Sequence, residues 1–161
     1  MPSSNTAQHP EDLPSPEQAA KMSGLDFLRA IMAGRFAAPP MAAQMGFALH
    51  RVEEGMAEFH GAPGRAHLNP TGGVHGGWYG TLLDSALGCA VASKLPAGRG
   101  YTTLEYKVNL IRALKPGVMV SCLGRASHVG RSTGVAEGEI RGLEDGRLYA
   151  TGSTTCLIFK L

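Results

Sequence analysis

Residues 69–94 read NPTGGVHGGWYGTLLDSALGCAVASK. From Gly76 to Lys94 this run has helical character and would span ~28 Å at ~1.5 Å per residue. Trp78, Leu82, Ser85, Ala86 and Cys89 form one apolar or small stripe; Tyr79, Leu83, Ala86, Leu87 and Ala90 form a second. Apolar residues on two faces imply a helix buried on most sides. Gly77, Gly80, Ser85, Gly88 and Ala92 are small enough for a neighbouring backbone to come close. Pro96 stops the helix.

Working outward, the chain on both sides reads as strands. Downstream, 101–111 alternates, which puts Leu104, Tyr106, Val108 and Leu110 on one side. Residues 118–128, 133–141 and 147–159 follow as antiparallel strands. Lys115-Pro116-Gly117, Gly130 and Glu144-Asp145-Gly146 turn between them. Upstream, 45–52 and 56–67 form two strands joined at Glu53-Glu54-Gly55, with Asn69-Pro70-Thr71-Gly72-Gly73 as a further turn. Before these, 25–36 carries Leu25, Leu28, Ile31 and Met32 at helical spacing. Ser23 is its cap, Asp26 sits in its first turn, and Gly34 with Pro39-Pro40 ends it. One long buried helix within a run of hairpin-connected strands defines an α+β class: a curved antiparallel β-sheet wrapped around one central helix. Residues 1–20 are Pro-rich and polar and read as a flexible N-terminal tail; 21–161 read as a single domain.

Composition limits the function. Among 161 residues, 43% are hydrophobic and 17% charged, which supports a core and excludes a disordered chain. The net charge of +2 is scattered, with none of the basic clustering of a nucleic-acid binder. Three widely spaced cysteines, Cys89, Cys122 and Cys156, form no C-x-x-C and suit a reducing compartment. The N-terminus lacks the layout of a secretory signal and no apolar run reaches ~18 residues, so a cytoplasmic protein without membrane contact is expected. Other motifs fail. His50, His60 and His67 lack metal-ligand spacing, and H-E-x-x-H does not occur. The Gly124–Ser132 run departs from a phosphate loop, and Gly98-Arg99-Gly100 leads into a strand. No metal is expected.

The chemistry sits where the glycines meet the helix. Gly-rich backbone before a helix presents unpaired N–H groups and partial positive charge, suited to an anion or to a carbonyl oxygen becoming one. Asp84 lies eight residues beyond Gly76 and returns toward the same side of the helix. A carboxylate on a mostly apolar, small-residue helix is expensive without partners or a task. Eight residues of helix separate Gly76 from Asp84 by ~12 Å. A carbonyl held at the Gly76 amide is then out of reach of its own Asp84, because attack needs ~3–3.5 Å. If both serve one reaction, the aspartate comes from another subunit.

The stretch N-P-T-G-G-V-H-G-G-W-Y-G-T-L-L-D resembles the signature of the phenylacetate-degradation-type hotdog-fold thioesterases, and the likeness runs from about residue 45 to 159. The resemblance implies a hotdog fold and an acyl-CoA thioesterase acting on a small aryl or short- to medium-chain acyl group. It implies no cofactor beyond the coenzyme A of the substrate, and a homodimer or homotetramer with shared sites. By that likeness the Gly76 amide polarises the thioester carbonyl, and Gly77 beside it helps bind the substrate. Asp84 is the base or nucleophile, Asn69 positions the reacting groups, and Thr103 (with Thr102 as the alternative) holds the attacking water. His75 either orients the turn through a ring hydrogen bond or takes part in catalysis. His128, Gly130, Arg131 and Ser132 resemble the turn beside the coenzyme A arm. Trp78, Tyr79 and Leu82 are candidate walls of an acyl pocket at the subunit interface, and Cys89 reads as buried filler. Two alternatives stand beside this reading: a non-catalytic acyl-CoA-binding hotdog domain, for which the Asp84 charge has no use, and a hotdog hydratase or dehydratase, for which no His–acid pair is evident.

Overall fold

A computed structural model describes residues 5–161. Six strands form one antiparallel sheet in the order β1-β2-β4-β5-β6-β3. They are β1 Phe47–Glu53, β2 Met56–Gly61, β3 Arg99–Leu110, β4 Val120–Val129, β5 Thr133–Gly142 and β6 Leu148–Lys160. The sheet packs on the long helix α4, Gly76–Ala92. The α+β expectation is met, and a single helix wrapped by such a sheet is the hotdog architecture.

The apolar pattern of α4 explains its place. Leu82, Leu83, Ala86, Leu87, Ala90 and Val91 are fully buried. Burying each leucine or valine contributes ~1.5–3 kcal/mol. The sheet makes room for the helix with a row of glycines: Gly124 pairs with Gly138, and Gly138 with Gly152, across β4, β5 and β6. A methyl at Gly124 would overlap the Ala86 carbonyl, and one at Gly138 or Gly152 would press on Leu87 or Leu83. The three glycines therefore allow α4 to lie close to the sheet.

Several expectations are corrected. The segment read as a loose tail is held down over its described part, residues 5–20; residues 1–4 lie outside the described residues. Ala7 N–H donates to Ala38 O at 3.0 Å and Ala38 N–H to Asn5 O at 2.8 Å, and Ala7 is buried. A short helix α1, Pro16–Ala20, starts with a reciprocal cap: Ser15 Oγ accepts from Gln18 N–H and Gln18 Oε1 from Ser15 N–H. The next helix, α2 Gly24–Met32, uses Ser23 as its cap and is four residues shorter than expected at its C-terminal end. Pro39-Pro40, read only as a stop, instead opens a third short helix, α3 Pro40–Met45. Proline at the first position of a helix loses no hydrogen bond, and Gly46, with φ +72°, closes this one. Strand β2 ends at Gly61 rather than running to residue 67.

The alternation expected along β3 also breaks. Thr103 pairs with Cys156 and Glu105 with Thr155, so Leu104 is the extra residue of a bulge. A bulge shifts the two-residue phase. Tyr101 and Thr103 before it and Tyr106 and Leu110 after it all turn toward α4, while Leu104 is 59% exposed.

Candidate active site

The turn before α4 is fixed by its own side chains. Asn69 Oδ1 accepts from Thr71 N–H at 3.0 Å, Thr71 Oγ1 at 2.8 Å and Gly73 N–H at 3.0 Å. Asn69 N–H reaches Gly73 O, and His75 N–H reaches His67 O. His75 is then the N-cap of α4: its Nδ1 accepts from Gly77 N–H at 2.9 Å. An accepting Nδ1 puts the ring proton on Nε2. Among the described residues no partner accepts from the Gly76 N–H. The His75 ring thus satisfies the second amide of the helix and leaves the first to face outward, at the positive end of the helix dipole.

The ring hydrogen bond expected of His75 is therefore present, and it yields a prediction. His75→Ala should destabilise the fold by ~0.5–2 kcal/mol, the range for losing a cap. His75→Asn should recover most of it, because asparagine caps well. Thermal melts test the cap. Activity that falls equally in both variants would assign His75 a chemical role as well.

Asp84 lies two turns further along. Gly76, Gly80, Asp84 and Gly88 recur every four residues and face β3. Opposite them stand, in order, Leu110, Tyr106, Thr103 and Tyr101: a Cβ at Gly76 would meet Leu110, at Gly80 the Tyr106 ring, and at Gly88 the Tyr101 hydroxyl. Thr103 Oγ1 donates to Asp84 Oδ1 at 2.9 Å. The half-buried carboxylate is therefore seated between two tyrosines. Thr103, not the exposed Thr102, is its neighbour, and the bulge at Leu104 lets Tyr106 beyond it face α4 as well. Asp84 Oδ2 receives no hydrogen bond among the described residues.

The groups around Asp84 keep their protons at neutral pH. Burial pushes the Cys89 thiol up to about 12, with the Asp84 charge adding to the effect. Burial, with Cys89, Cys156 and Asp84 nearby, pushes the Tyr101 hydroxyl well above its ordinary range. Among the described residues no group of three or more His, Cys, Asp or Glu is placed to hold a metal ion.

Not every expected residue joins this site. His128, Gly130, Arg131 and Ser132 form the β4–β5 hairpin, where Gly130 N–H donates to Thr133 O and the His128 ring lies over Gly130. Gly134 of that hairpin rests on Val91, fifteen residues along α4 from Gly76, or ~22 Å. Within one chain the hairpin and the Gly76 amide are at opposite ends of the helix. Trp78, Tyr79 and Leu82 do not line an open wall. They are 1%, 2% and 0% exposed and belong to the core, with Trp78 Nε1 donating to Met45 O at 2.8 Å. Cys89 is half-buried and packs against the core, and it also borders a cavity. The two tyrosines flanking Asp84 were missed as site residues. Their signal was the four-residue spacing of small residues on α4, which needs bulky partners on the facing strand.

The fold and the geometry of this helix define a hotdog protein with an acid and a free amide on one stripe. Residues 71–149 match the thioesterase superfamily. The chain belongs to that superfamily. It is similar to a phenylacetic acid degradation-related protein of Ralstonia eutropha, with 28% identity and a TM-score of 0.74, covering 81% of this chain and 98% of that one. It is also similar to a Streptococcus pneumoniae protein described as a thioesterase and solved with coenzyme A, with 26% identity and a TM-score of 0.65, covering 71% and 87%. A Caenorhabditis elegans protein with an esterase assignment shares 30% identity over 89 residues, 55% of this chain; the chain spans about half, 52%, of that relative's length. No helix among the described residues is long and apolar enough to cross a membrane.

Proposed function

We propose that the chain is an acyl-CoA thioesterase that hydrolyses a small aryl- or short- to medium-chain acyl-CoA to the free acid and coenzyme A. The observation that carries this is the Asp84 carboxylate, held by Thr103 on the same stripe of α4 that opens at the outward Gly76 N–H. The Gly76 amide of one copy polarises the thioester carbonyl, with Asn69 beside it. Asp84 of a second copy either takes a proton from the attacking water, which Thr103 helps to hold, or attacks the carbonyl carbon itself to give an anhydride that water then opens. In both routes the C–S bond breaks with its electron pair on sulfur. A thiol of pKa ~8.5 departs without a dedicated strong acid.

Two copies are required because α4 separates Gly76 from Asp84 by ~12 Å. Strand β3 suits such pairing. It is a twelve-residue edge strand, and Leu104, Tyr106 and Leu110 on it, with Ile111 just beyond, are 46–59% exposed. A long apolar edge of this kind favours pairing with another chain. The coenzyme A arm of the substrate is assigned to the His128–Ser132 hairpin; the similar Streptococcus pneumoniae protein was solved with coenzyme A.

The test is steady-state release of free thiol over a panel of aryl-, short- and medium-chain acyl-CoA esters. No release above buffer across the panel would overturn the reading. Coenzyme recognition has its own test. Arg131→Ala should raise KM for acyl-CoA by roughly 5-fold, the upper scale of an exposed ion pair, with kcat little changed. An acyl-pantetheine lacking the nucleotide should not respond. Equal losses with both substrates would remove Arg131 from coenzyme binding.

A further inference from the structure

One cavity, of about 230 Å³, lies between α2, α3, β1 and the Cys89 side of α4. Its wall includes Leu28, Ile31, Ala42, Phe47, Leu49 and Cys89, and among the described residues the only other polar side chain on it is that of Thr6. The surrounding core is tightly filled: Phe47 is 2% exposed and Ala90 and Val91 are 0%. The cavity opens to solvent on its α2–α3 side, where Met32 is 40% exposed, so apolar surface there is left in water. An apolar cleft of this size against a well-packed core points to an occupant, and its lining makes that occupant apolar.

Position narrows the choice. Cys89 is five residues beyond Asp84, ~7.5 Å along the helix. It is close enough for the Asp84 charge to act on its thiol. Cys89 stands about 140° around the helix from Asp84, so the cavity begins about a turn and a half past the candidate carboxylate and round the helix from it. Its outer wall, α2 and α3, precedes the residues that match the superfamily.

We propose that this cavity receives the apolar tail of the substrate's acyl group, and that α2 and α3 set the length of tail accepted. The proposal rests on the thioesterase reading. With the carbonyl at Asp84, the chain runs past Cys89 and under α2 and α3. A volume below the ~300–1,000 Å³ of drug-sized pockets suits an unbranched medium-length chain rather than a long one.

Two variants test it in opposite directions. Ala42→Leu fills the cavity, and the ratio of kcat/KM for octanoyl-CoA to that for acetyl-CoA should fall at least ~10-fold, the scale of a methylene misfit. Ile31→Ala enlarges it, and the ratio for dodecanoyl-CoA to octanoyl-CoA should rise. A folding defect would lower all substrates together and leave both ratios unchanged; unchanged ratios, or shifts of the same sign, overturn the proposal. Calorimetric titration with free octanoate separates the two layers. If wild-type protein hydrolyses no thioester but binds octanoate, and Ala42→Leu does not, the cavity assignment holds and the thioesterase reading fails. If thioesters are hydrolysed and octanoate affinity ignores Ala42→Leu, the cavity assignment alone fails.

Discussion

Asp84→Asn should lower kcat by at least ~10²-fold, the usual scale for losing a base, while the protein stays folded. The substitution isolates charge from shape. Asparagine keeps an oxygen where Thr103 Oγ1 now donates at 2.9 Å, so the contact with β3 survives. The neighbours Tyr101 and Tyr106 pack on Gly88 and Gly80, not on the carboxylate, and have no reason to move. The carboxylate's basicity and nucleophilicity are lost, and both routes to hydrolysis need one or the other. Binding of acyl-CoA should change little, because the interaction removed is made in the transition state. Thermal melts and steady-state kinetics on the same preparation check both halves. Near-normal turnover in the folded variant would remove Asp84 from the chemistry.

The features legible in the sequence were those set by local rules. Helix α4 begins at Gly76 as expected because His75 and the glycines before it constitute a start signal that needs no tertiary context. All six strands were anticipated, since turn residues fall between them. The spacing from Gly76 to Asp84 fixed their separation through helical rise alone. What escaped depends on contacts distant in sequence. The register of β3 past Leu104 follows from a bulge, and a bulge leaves no mark in an alternation pattern. The segment from Asn5 to Ala20 is polar and Pro-rich like a tail, yet the backbone of Asn5 and Ala7 pairs with Ala38, and Ala20 O accepts from Gly98 N–H. Composition carries no information about such a strap. Helix α3 was hidden because Pro39-Pro40 stops one helix and starts another, and the two meanings have the same residues. The cavity over Cys89 arises only when α2, α3 and α4 are assembled, so Cys89 taken alone resembled core.

Mixing two inactive proteins should restore activity if the site is shared. Asp84→Asn removes the carboxylate from one half of each site. Asn69→Ala damages the other half, because Asn69 Oδ1 accepts three hydrogen bonds that shape the turn leading to the Gly76 amide. In a two-fold dimer each site takes its amide from one copy and its carboxylate from the other. A mixed dimer then gathers both defects in one site and leaves the second site intact. Co-refolded protein should recover at most about half of wild-type activity per heterodimer, where either variant alone is inactive. Gly76 and Asp84 sit on one rigid helix, so no rearrangement within a chain closes the ~12 Å between them. If each chain instead built its own site, every site of the mixed dimer would carry one defect and activity would stay at the level of the single variants. Native mass spectrometry, with the two variants distinguished by isotope labelling, establishes that heterodimers have formed. Heterodimers present without recovery would contradict the shared site and leave hydrolysis of the thioester by each chain alone to be explained.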